Sequence, residues 1–423
     1  MKIVFIGDNR NRLNWGCRGT SIALKDMLSL ENDIIFTAHG DLSSGNYPIW
    51  QGIHLPVFIQ RILIALTHKN RFIAKIFRKI GVRDFVTSDV HETLNNFNRS
   101  LFLYSVLEEL DANIRQCDAL VINGEGSFIF TDPHRRDTIF YLMLLNLAQL
   151  HKKDTYCLNA MFSDCPKSGR NNETLKKATD ILSQCNLVVA REVNSLNYIN
   201  KLECNINVKY VPDALFSWSK YKEYIDTAIN FPLTFVPFPE YDNYRTKFDF
   251  IQPYICVSGS SSAAWNQGEA VLGYTRLLEA LKDVGYRIFI VPTCAGDQFL
   301  CDVANRTKLP IVPVQTNILA GMAILSNATV FLSGRWHPSI LASLGGTPCV
   351  VFGSNSHKTK SFIEFMSYSK NKKEYKDIPD ETEIKHILDD VRDYVQQGSV
   401  LRNEIRNKVN ELSELTNFYK YIK

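Results

Sequence analysis

Arg335 and His337 are the residues whose types and spacing best suit chemistry on an anion. They follow an apolar run at residues 329–332 and the pair Ser333-Gly334, and Pro338 then opens a stretch of small residues that predicts a helix. A guanidinium group can hold a carboxylate or phosphate with two parallel hydrogen bonds, and an imidazole can bind an anion or transfer a proton. Because a helix N-terminus also attracts negative charge, this order predicts an anion site.

A second polar loop follows the next apolar run along the chain. Residues 349–352 read as a buried strand, and the loop after it supplies Ser354, Lys358 and Lys360. In an open α/β sheet, ligands bind beyond the carboxyl ends of the strands, so we expect these side chains to face one cleft with Arg335 and His337. The alternative is that Arg335 pairs with a neighbouring acid and that His337 fills a polar gap.

Charged residues also follow predicted strands in the first half of the chain. Glu125 stands between two glycines after residues 119–122, Arg191 follows residues 187–190, and Asp213 comes shortly after Val211. The carboxyl ends of parallel strands meet at one edge of a sheet, so these side chains are expected to face the cleft together. Glu125 and Asp213 are candidates for the catalytic acid and base on position alone.

Two further loops supply candidate substrate-binding residues. Asn14 and Arg18 lie in the glycine-bearing loop after the first predicted strand, and Ser260 lies in the serine-rich loop after the strand predicted from Tyr254 to Val257. The first loop does not fit the G-x-G-x-x-G pattern, so the sequence does not predict a dinucleotide site.

The alternation of strand and helix patterns predicts an α/β protein with two Rossmann-like domains facing a central cleft. The predicted boundaries are residues 1–235 for an N-terminal domain on the acceptor side, 236–253 for a proline- and aromatic-rich linker, 254–366 for a C-terminal domain with the donor anion site, and 367–423 for a helical extension. This layout resembles the GT-B arrangement of many glycosyltransferases.

Composition narrows the functional classes. The formal net charge of +4 over 423 residues is too small to indicate nucleic-acid binding. The ten cysteines lack CxxC pairs and histidines at metal-binding spacing, which argues against a disulfide framework or a zinc site. No run of about 18 apolar residues and no signal peptide occurs, so we expect a cytoplasmic protein.

Residues 57–83 mix apolar and basic side chains. Such a segment either contacts an anionic membrane surface, which would place the protein at the inner face of the membrane, or is an amphipathic helix with its apolar face in the core.

Five segments, in order, carry a family resemblance. They are KIVFIGDNRNRLNWGCRGTSIAL at residues 2–24, VINGEGS at 121–127, VVAREVNSL at 188–196, VPDALF at 211–216, and SGRWHPSILASLGGTPCVVFG at 333–353 followed by HKTK. From residue 2 to about residue 366 the chain resembles polysaccharide pyruvyl transferases. It departs from the family at Trp336, where relatives usually have leucine, at Pro338, and in the loop around Ser260, where many relatives have arginine.

The resemblance implies a transferase of exopolysaccharide or lipopolysaccharide biosynthesis in bacteria. Family members transfer the carboxyethylidene unit of phosphoenolpyruvate to two sugar hydroxyls as a ketal, and Arg335, His337 and Arg191 match the donor-binding positions. Phosphoenolpyruvate is then a substrate, and no cofactor or metal is implied. The acceptor would be a glycan or a lipid-linked oligosaccharide, and the oligomeric state stays open.

Two other functions fit the same residues. One is a glycosyltransferase that uses a CMP-activated acidic sugar, a sialic acid or Kdo, with Glu125 as base and His337 on the CMP phosphate. The other is a sugar- or phosphate-binding protein without turnover.

Overall fold

The computed structural model describes residues 1–51, 55–69, 71–228, 248, 250–367 and 373–422. The linker predicted at residues 236–253 lies mostly outside them. The predicted α/β class with two parallel sheets is confirmed.

The first lobe is built on a parallel sheet with the strand order β2-β1-β5-β6-β7-β8 among the described residues. The strands are β1 (Lys2–Asp8), β2 (Asp33–His39), β3 (Pro48–Trp50), β4 (Val82–Asp84), β5 (Ala119–Phe130), β6 (Asp154–Asp164), β7 (Leu187–Ala190) and β8 (Val208–Tyr210), of which β3 and β4 form a separate antiparallel pair. The central strands are continuous buried apolar runs, as expected for a sheet covered on both faces.

Helices connect these strands and cover the sheet. They are α1 (Trp15–Leu28), α2 (Gly40–Ser44), α3 (Val57–Lys69), α4 (Arg71–Ile80), α5 (Val90–Ser100), α6 (Ser105–Gln116), α7 (Arg136–Leu150), α8 (Asn172–Leu182), α9 (Val193–Asn200) and α10 (Lys222–Ala228), with a 3₁₀ helix at Ala214–Tyr221. Asn14 caps α1 by accepting a hydrogen bond from the Cys17 amide, and Glu192 caps α9 by accepting from the Ser195 amide.

The second lobe repeats the plan on a smaller parallel sheet with the order β10-β9-β11-β12. Its strands are β9 (Tyr254–Ser260), β10 (Arg287–Ile290), β11 (Val330–Gly334) and β12 (Cys349–Val351), and its helices are α11 (Gln267–Leu281), α12 (Phe299–Thr307), α13 (Ile318–Asn327), α14 (Trp336–Leu344), α15 (Lys358–Met366) and α16 (Glu381–Leu415). Within the described ranges, no helix has the length and apolarity that a bilayer crossing requires.

The two lobes pack directly against each other. The Trp15 amide donates to the Thr293 carbonyl at 2.9 Å, and its indole donates to the Val314 carbonyl at 2.8 Å. At the far side of the contact, His357 Nε2 lies 3.0 Å from Glu192 Oε1. One hydrophobic core contains residues of both lobes, so these contacts set the width of the cleft between them.

The C-terminal helix α16 ties the second lobe back to the first. It bends at Gly398, whose φ is +52°, and its second half reaches the first lobe, where Arg406 pairs with Asp226 at 2.7 Å. Phe418 and Ile422 beyond the helix are buried in the shared core. The predicted C-terminal extension therefore packs across both lobes.

Candidate active site

A cleft of about 290 Å³ lies between the lobes, where the carboxyl ends of their strands meet. Within the described part of the chain, five permanently or commonly cationic side chains line it: Arg12, Arg135, Arg191, Arg335 and Lys358. Asn14, Glu125, Asp137, His337 and Pro338 also line it. The cleft is therefore strongly basic, with carboxylates in its wall.

Arg335 caps the start of α14 and is held by a buried carboxylate. Its Nη2 lies 2.5 Å from Asp297 Oδ1, and Asp297 in turn accepts from the Thr293 amide at 3.0 Å. Burial opposes the charge on Arg335, but Asp297 outweighs it and raises the pKa of the guanidinium. Its side chain keeps 15% of its surface exposed and lines the cleft, so the ion pair orients Arg335 without removing it from the site.

His337 lies in the first turn of α14, against the first lobe. Its Nε2 lies 3.1 Å from Arg191 Nη1 and 3.2 Å from Asp213 Oδ2. On the other side, the ring packs so closely against Gly16 of α1 that a Cβ there would lie 2.4 Å from the His337 Cβ. The imidazole is thus fixed in place by groups of the opposite lobe.

Asp213 joins these groups from behind the cleft wall. Its fully buried carboxylate accepts from Thr20 Oγ1 at 3.0 Å and from Trp336 Nε1 at 2.9 Å, in addition to its contacts with Arg191 and His337. Burial alone would raise the pKa of Asp213, but His337 and Arg191 hold it well below its usual value. Asp213 does not line the cleft, contrary to the expectation that it faces it, and it positions residues that do. Its role as a catalytic acid or base stays a prediction.

Arg191 is 2% exposed, yet it reaches the cleft. Its guanidinium carbon lies 5.2 Å from the centre of the Trp336 ring, and its Nε is buried without a hydrogen-bond partner. Trp336 therefore stacks on Arg191 and donates to Asp213.

Glu125 projects into the cleft from an irregular point in β5. Its backbone has φ +40°, and its Oε1 accepts from Asn9 Nδ2 at 2.7 Å, from Asn123 Nδ2 at 3.1 Å and from Ser21 Oγ at 3.2 Å. Burial and the neighbouring Glu125 raise the pKa of the Cys17 thiol well above its usual value, so Cys17 stays protonated beside this carboxylate. The predicted cleft position of Glu125 is observed.

Lys358, at the start of α15, completes the cationic wall. Its Nζ donates to Ser261 Oγ at 2.8 Å and to Asn355 Oδ1 at 2.7 Å. Burial lowers the pKa of Lys358 to about 7, and the neighbouring charges of Arg335 and Arg191 act in the same direction. An anion in the cleft would reverse this shift.

Four of the predicted substrate-binding residues do not line the cleft. Arg18 donates from Nε to the Arg12 carbonyl at 2.8 Å and supports the loop that carries Arg12. Ser260 is buried and donates to the Gly353 carbonyl, Ser354 shares a hydrogen bond with Thr359 at 2.9 Å, and Lys360 is exposed outside the cleft. The expected cleft position of these four side chains is not observed, because loop composition does not show which side chains point inward. Their role in substrate binding stays a prediction. Asn14 does line the cleft.

Sequence reasoning missed Arg12, Arg135, Ser261 and Asn355, which line the cleft. Arg12 and Asn355 lie in the two loops from which Asn14 and Ser354 were predicted to face the cleft, so their position in those loops could have indicated them. Arg135 comes from the loop before α7 and donates to the Gly126 carbonyl at 2.7 Å, and its place beside Glu125 follows only from the fold. In the residues described, no group of three or more His, Cys, Asp or Glu side chains is arranged to hold a metal ion.

Comparisons with known proteins place this geometry in context. The sequence model described as polysaccharide pyruvyl transferase matches residues 58–356. No curated protein sequence matches the chain.

Among solved structures, the UDP-GlcNAc 2-epimerase from Neisseria meningitidis bound to UDP-GlcNAc aligns with a TM-score of 0.54 at 12% identity, covering 98% of this chain and 99% of that one. The UDP-N-acetylglucosamine 2-epimerase from Rickettsia bellii aligns with a TM-score of 0.54 at 11% identity, covering 100% and 96%. A sucrose-phosphate synthase from Thermosynechococcus elongatus gives 0.50 at 11% identity, covering 99% and 97%. At such identities the likeness shows the fold, the two-domain GT-B arrangement.

Proposed function

Because the chain belongs to the polysaccharide pyruvyl transferase family, and is therefore a transferase, we propose that its donor is phosphoenolpyruvate and its acceptor a pair of hydroxyls on a sugar. The product would be a cyclic ketal on a bacterial surface polysaccharide or its precursor. The observation that carries this proposal is the cleft of about 290 Å³ with its wall of cationic side chains. A small ligand with a carboxylate and a phosphate matches both the size and the charge of that cleft.

The charges that remain after internal pairing support this donor. Asp297 balances Arg335, and Asp213 balances Arg191. In the described part of the chain, no carboxylate pairs with Arg12 or Lys358, which are held by carbonyl, hydroxyl and amide oxygens. The donor's carboxylate and phosphate would supply the missing negative charge.

The proposed reaction balances as follows. One sugar hydroxyl oxygen bonds to C2 of phosphoenolpyruvate while C3 gains a proton and becomes a methyl group. The bond from C2 to the phosphate oxygen then breaks, inorganic phosphate leaves, and the second hydroxyl oxygen bonds to C2. Of the two hydroxyl protons released, one accounts for the proton gained at C3 and the other leaves with phosphate.

Named residues can take three of these roles: accepting a hydroxyl proton, donating a proton to the phosphate, and stabilising the phosphate's charge. Glu125 is the carboxylate that accepts a hydroxyl proton, since it lines the cleft and its second oxygen is not held by Asn9, Asn123 or Ser21. His337, oriented by Asp213, donates to the departing phosphate. Arg191, Arg335 and Lys358 stabilise the charge that develops there, so the proposed chemistry requires no cofactor.

Incubation of the purified enzyme with each candidate donor tests the proposal. The acceptors are methyl glycosides of galactose, glucose, mannose and N-acetylmannosamine, and the readouts are released phosphate, released CMP and a mass gain of the glycoside. Phosphate release from phosphoenolpyruvate with ketal formation supports the proposal, and Glu125→Gln should abolish it. Release of CMP from CMP-sialic acid or CMP-Kdo would replace it with glycosyl transfer, and turnover of neither donor would favour a binding protein.

We also propose that the enzyme works at the cytoplasmic face of a membrane, where a lipid-linked acceptor would be presented. Phe58 and Ile62 on α3 and Ile76 and Ile80 on α4 are exposed, with Phe58 at 64%. The basic residues Lys75, Lys79 and Arg83 are exposed beside them. An exposed surface that is both apolar and basic suits anionic lipid headgroups. The side chains of residues 67–74 and 78, part of the segment predicted from sequence, lie outside the described set.

A further inference from the structure

A second groove of about 450 Å³ adjoins the anion cleft. The two share Ile129, Arg135 and Asn355 as lining residues, so they lie side by side. The groove adds Thr131, Asp132, Cys165, Lys167, Ser168 and Trp265. The proposed reaction needs a place for the acceptor beside the donor, and the contacts described above do not assign one.

Trp265 is the large aromatic side chain in this groove. It ends a short 3₁₀ helix, Ala263–Trp265, and 53% of its surface is exposed. Lys167 of the first lobe lies with its Nζ 5.2 Å from the centre of the indole ring, and Asp377 of the second lobe holds that Nζ at 3.0 Å. The groove is thus formed by both lobes, and its aromatic wall is held at a defined place.

The remaining wall carries hydroxyl, carboxylate and amide groups. Thr131, Asp132, Ser168 and Asn355 line the same groove as the Trp265 ring. A pyranose ring has the matching character, with an apolar face of C–H groups and an edge of hydroxyls. Tryptophan is well suited to such a partner because its ring is amphipathic and loses little conformational entropy.

The shared residues lead from this groove to the proposed base. Arg135 lines both depressions and donates to the carbonyl of Gly126, the residue that follows Glu125. A sugar seated on Trp265 would therefore extend its hydroxyls past Arg135 toward Glu125 and the donor.

We infer that this groove is the acceptor site, with a pyranose ring of the acceptor glycan stacked on Trp265 and its hydroxyls bound by the polar wall that ends at Asn355 and Arg135. The inference rests on the proposed pyruvyl transfer for the identity of the reacting sugar, but not for sugar binding itself. A sugar bound there leaves the donor cleft accessible, because the two share only the residues at their boundary.

The test compares Trp265→Ala with Trp265→Phe and with Leu272→Ala, which removes an equally exposed apolar side chain of α11 from outside the groove. With the methyl glycoside that the wild type uses best, Trp265→Ala should raise the acceptor KM about tenfold. The KM for phosphoenolpyruvate and the kcat at saturating acceptor should stay within about twofold, since Trp265 does not line the donor cleft. Trp265→Phe should recover most of the loss, and Leu272→Ala should match the wild type.

A second readout separates this inference from the proposed function. The four methyl glycosides are titrated without donor, and tryptophan fluorescence of the wild type is compared with that of Trp265→Phe. Quenching that disappears in Trp265→Phe supports the site even if phosphoenolpyruvate proves not to be the donor. The inference would be overturned by a wild-type acceptor KM in Trp265→Ala, or by the absence of Trp265-dependent quenching with all four glycosides. Phosphate release remains the separate measure of the proposed reaction.

Discussion

Replacing Gly16 with alanine should disable the site without touching any charged group. Gly16 lies in α1, where alanine is intrinsically favoured over glycine by about 1 kcal/mol, so the helix itself would accept the change. The new Cβ, however, would lie 2.4 Å from His337 Cβ, 2.6 Å from Nδ1 and 2.7 Å from Cγ. The imidazole must therefore move, and its contacts of 3.1 Å with Arg191 and 3.2 Å with Asp213 must change with it.

The size of the displacement follows from these distances. Ordinary Cβ contacts begin at 3.4 Å, so relief of the 2.4 Å contact requires a separation of 3.4 − 2.4 = 1.0 Å. A misplacement of about 1 Å in a catalytic arrangement costs on the order of a hundredfold in rate. At 1.36 kcal/mol per factor of ten this is about 2.7 kcal/mol of transition-state stabilisation. Overpacking should also lower the free energy of unfolding by about 1–3 kcal/mol.

The assay is steady-state phosphate release from phosphoenolpyruvate, with urea unfolding measured in parallel. Gly19→Ala is the matched control, because it is the same substitution in the same helix and its Cβ would meet the Leu215 Cδ1 at 2.9 Å, the far end of a flexible side chain. We expect Gly19→Ala to lose some stability and keep its kcat. A Gly16→Ala enzyme with wild-type kcat/KM, or a Gly19→Ala enzyme equally impaired, would refute the reasoning about His337.

Three further outcomes are expected. Arg335→Ala should lower the free energy of unfolding by about 3 kcal/mol because Asp297 is left buried and unpaired. The double variant Arg335→Ala/Asp297→Asn should regain most of that stability and still lose about a hundredfold in phosphate release. Recovery of activity in the double variant would contradict the role of Arg335. The affinity for phosphoenolpyruvate, measured by calorimetry, should be highest below pH 7 and fall as the pH rises through the Lys358 pKa of about 7, because only the protonated amine attracts the anion. Lys358→Met should remove this component of the pH profile. An unchanged profile in that variant would exclude Lys358 from donor binding. Phe58→Ser/Ile62→Ser should weaken co-sedimentation with vesicles of phosphatidylcholine and phosphatidylglycerol at least tenfold. The control Leu150→Ser, at a residue that is also exposed on the first lobe, should bind the vesicles as the wild type does. Equal vesicle binding by the wild type and both variants would contradict the membrane proposal.

The parts of the site that sequence could predict are those set by local order. Arg335, His337 and Arg191 directly follow strands, and the carboxyl edge of a parallel sheet places such residues in a cleft whatever the rest of the fold does. Glu125 was also expected to follow a strand, but it lies within β5, next to an irregularity in the pairing with β6. The two-lobed α/β architecture followed from the alternation of buried strands and helices.

Side-chain direction and contacts between distant segments were not predictable in this way. Asp213 lies at the expected edge, but its carboxylate turns inward to meet Trp336 and Thr20, which stand far from it in sequence. Ser260 ends β9 with its hydroxyl buried, and the next residue, Ser261, is the one that reaches the cleft. A shift of one residue at a strand end reverses the face, and composition alone does not fix that register.

The partner of Arg335 shows the same limit. Asp297 comes from a short turn in the second lobe that nothing in its local sequence marks as part of the site. Two readings of Arg335 were possible from sequence: that it pairs with an acid, or that it faces the cleft. The structure shows both, because the ion pair orients a guanidinium group that stays partly exposed. Whether a cationic side chain is paired internally or available to a ligand depends on the acceptors around it. Those acceptors are brought together only by the fold.

A crystal structure of the enzyme with phosphoenolpyruvate tests the central claim most directly. We predict that the carboxylate and phosphate of the donor lie between Arg191, Arg335 and Lys358, with a contact to His337. Donor bound at another surface, or a cleft that stays empty of donor at concentrations that saturate turnover, would contradict it.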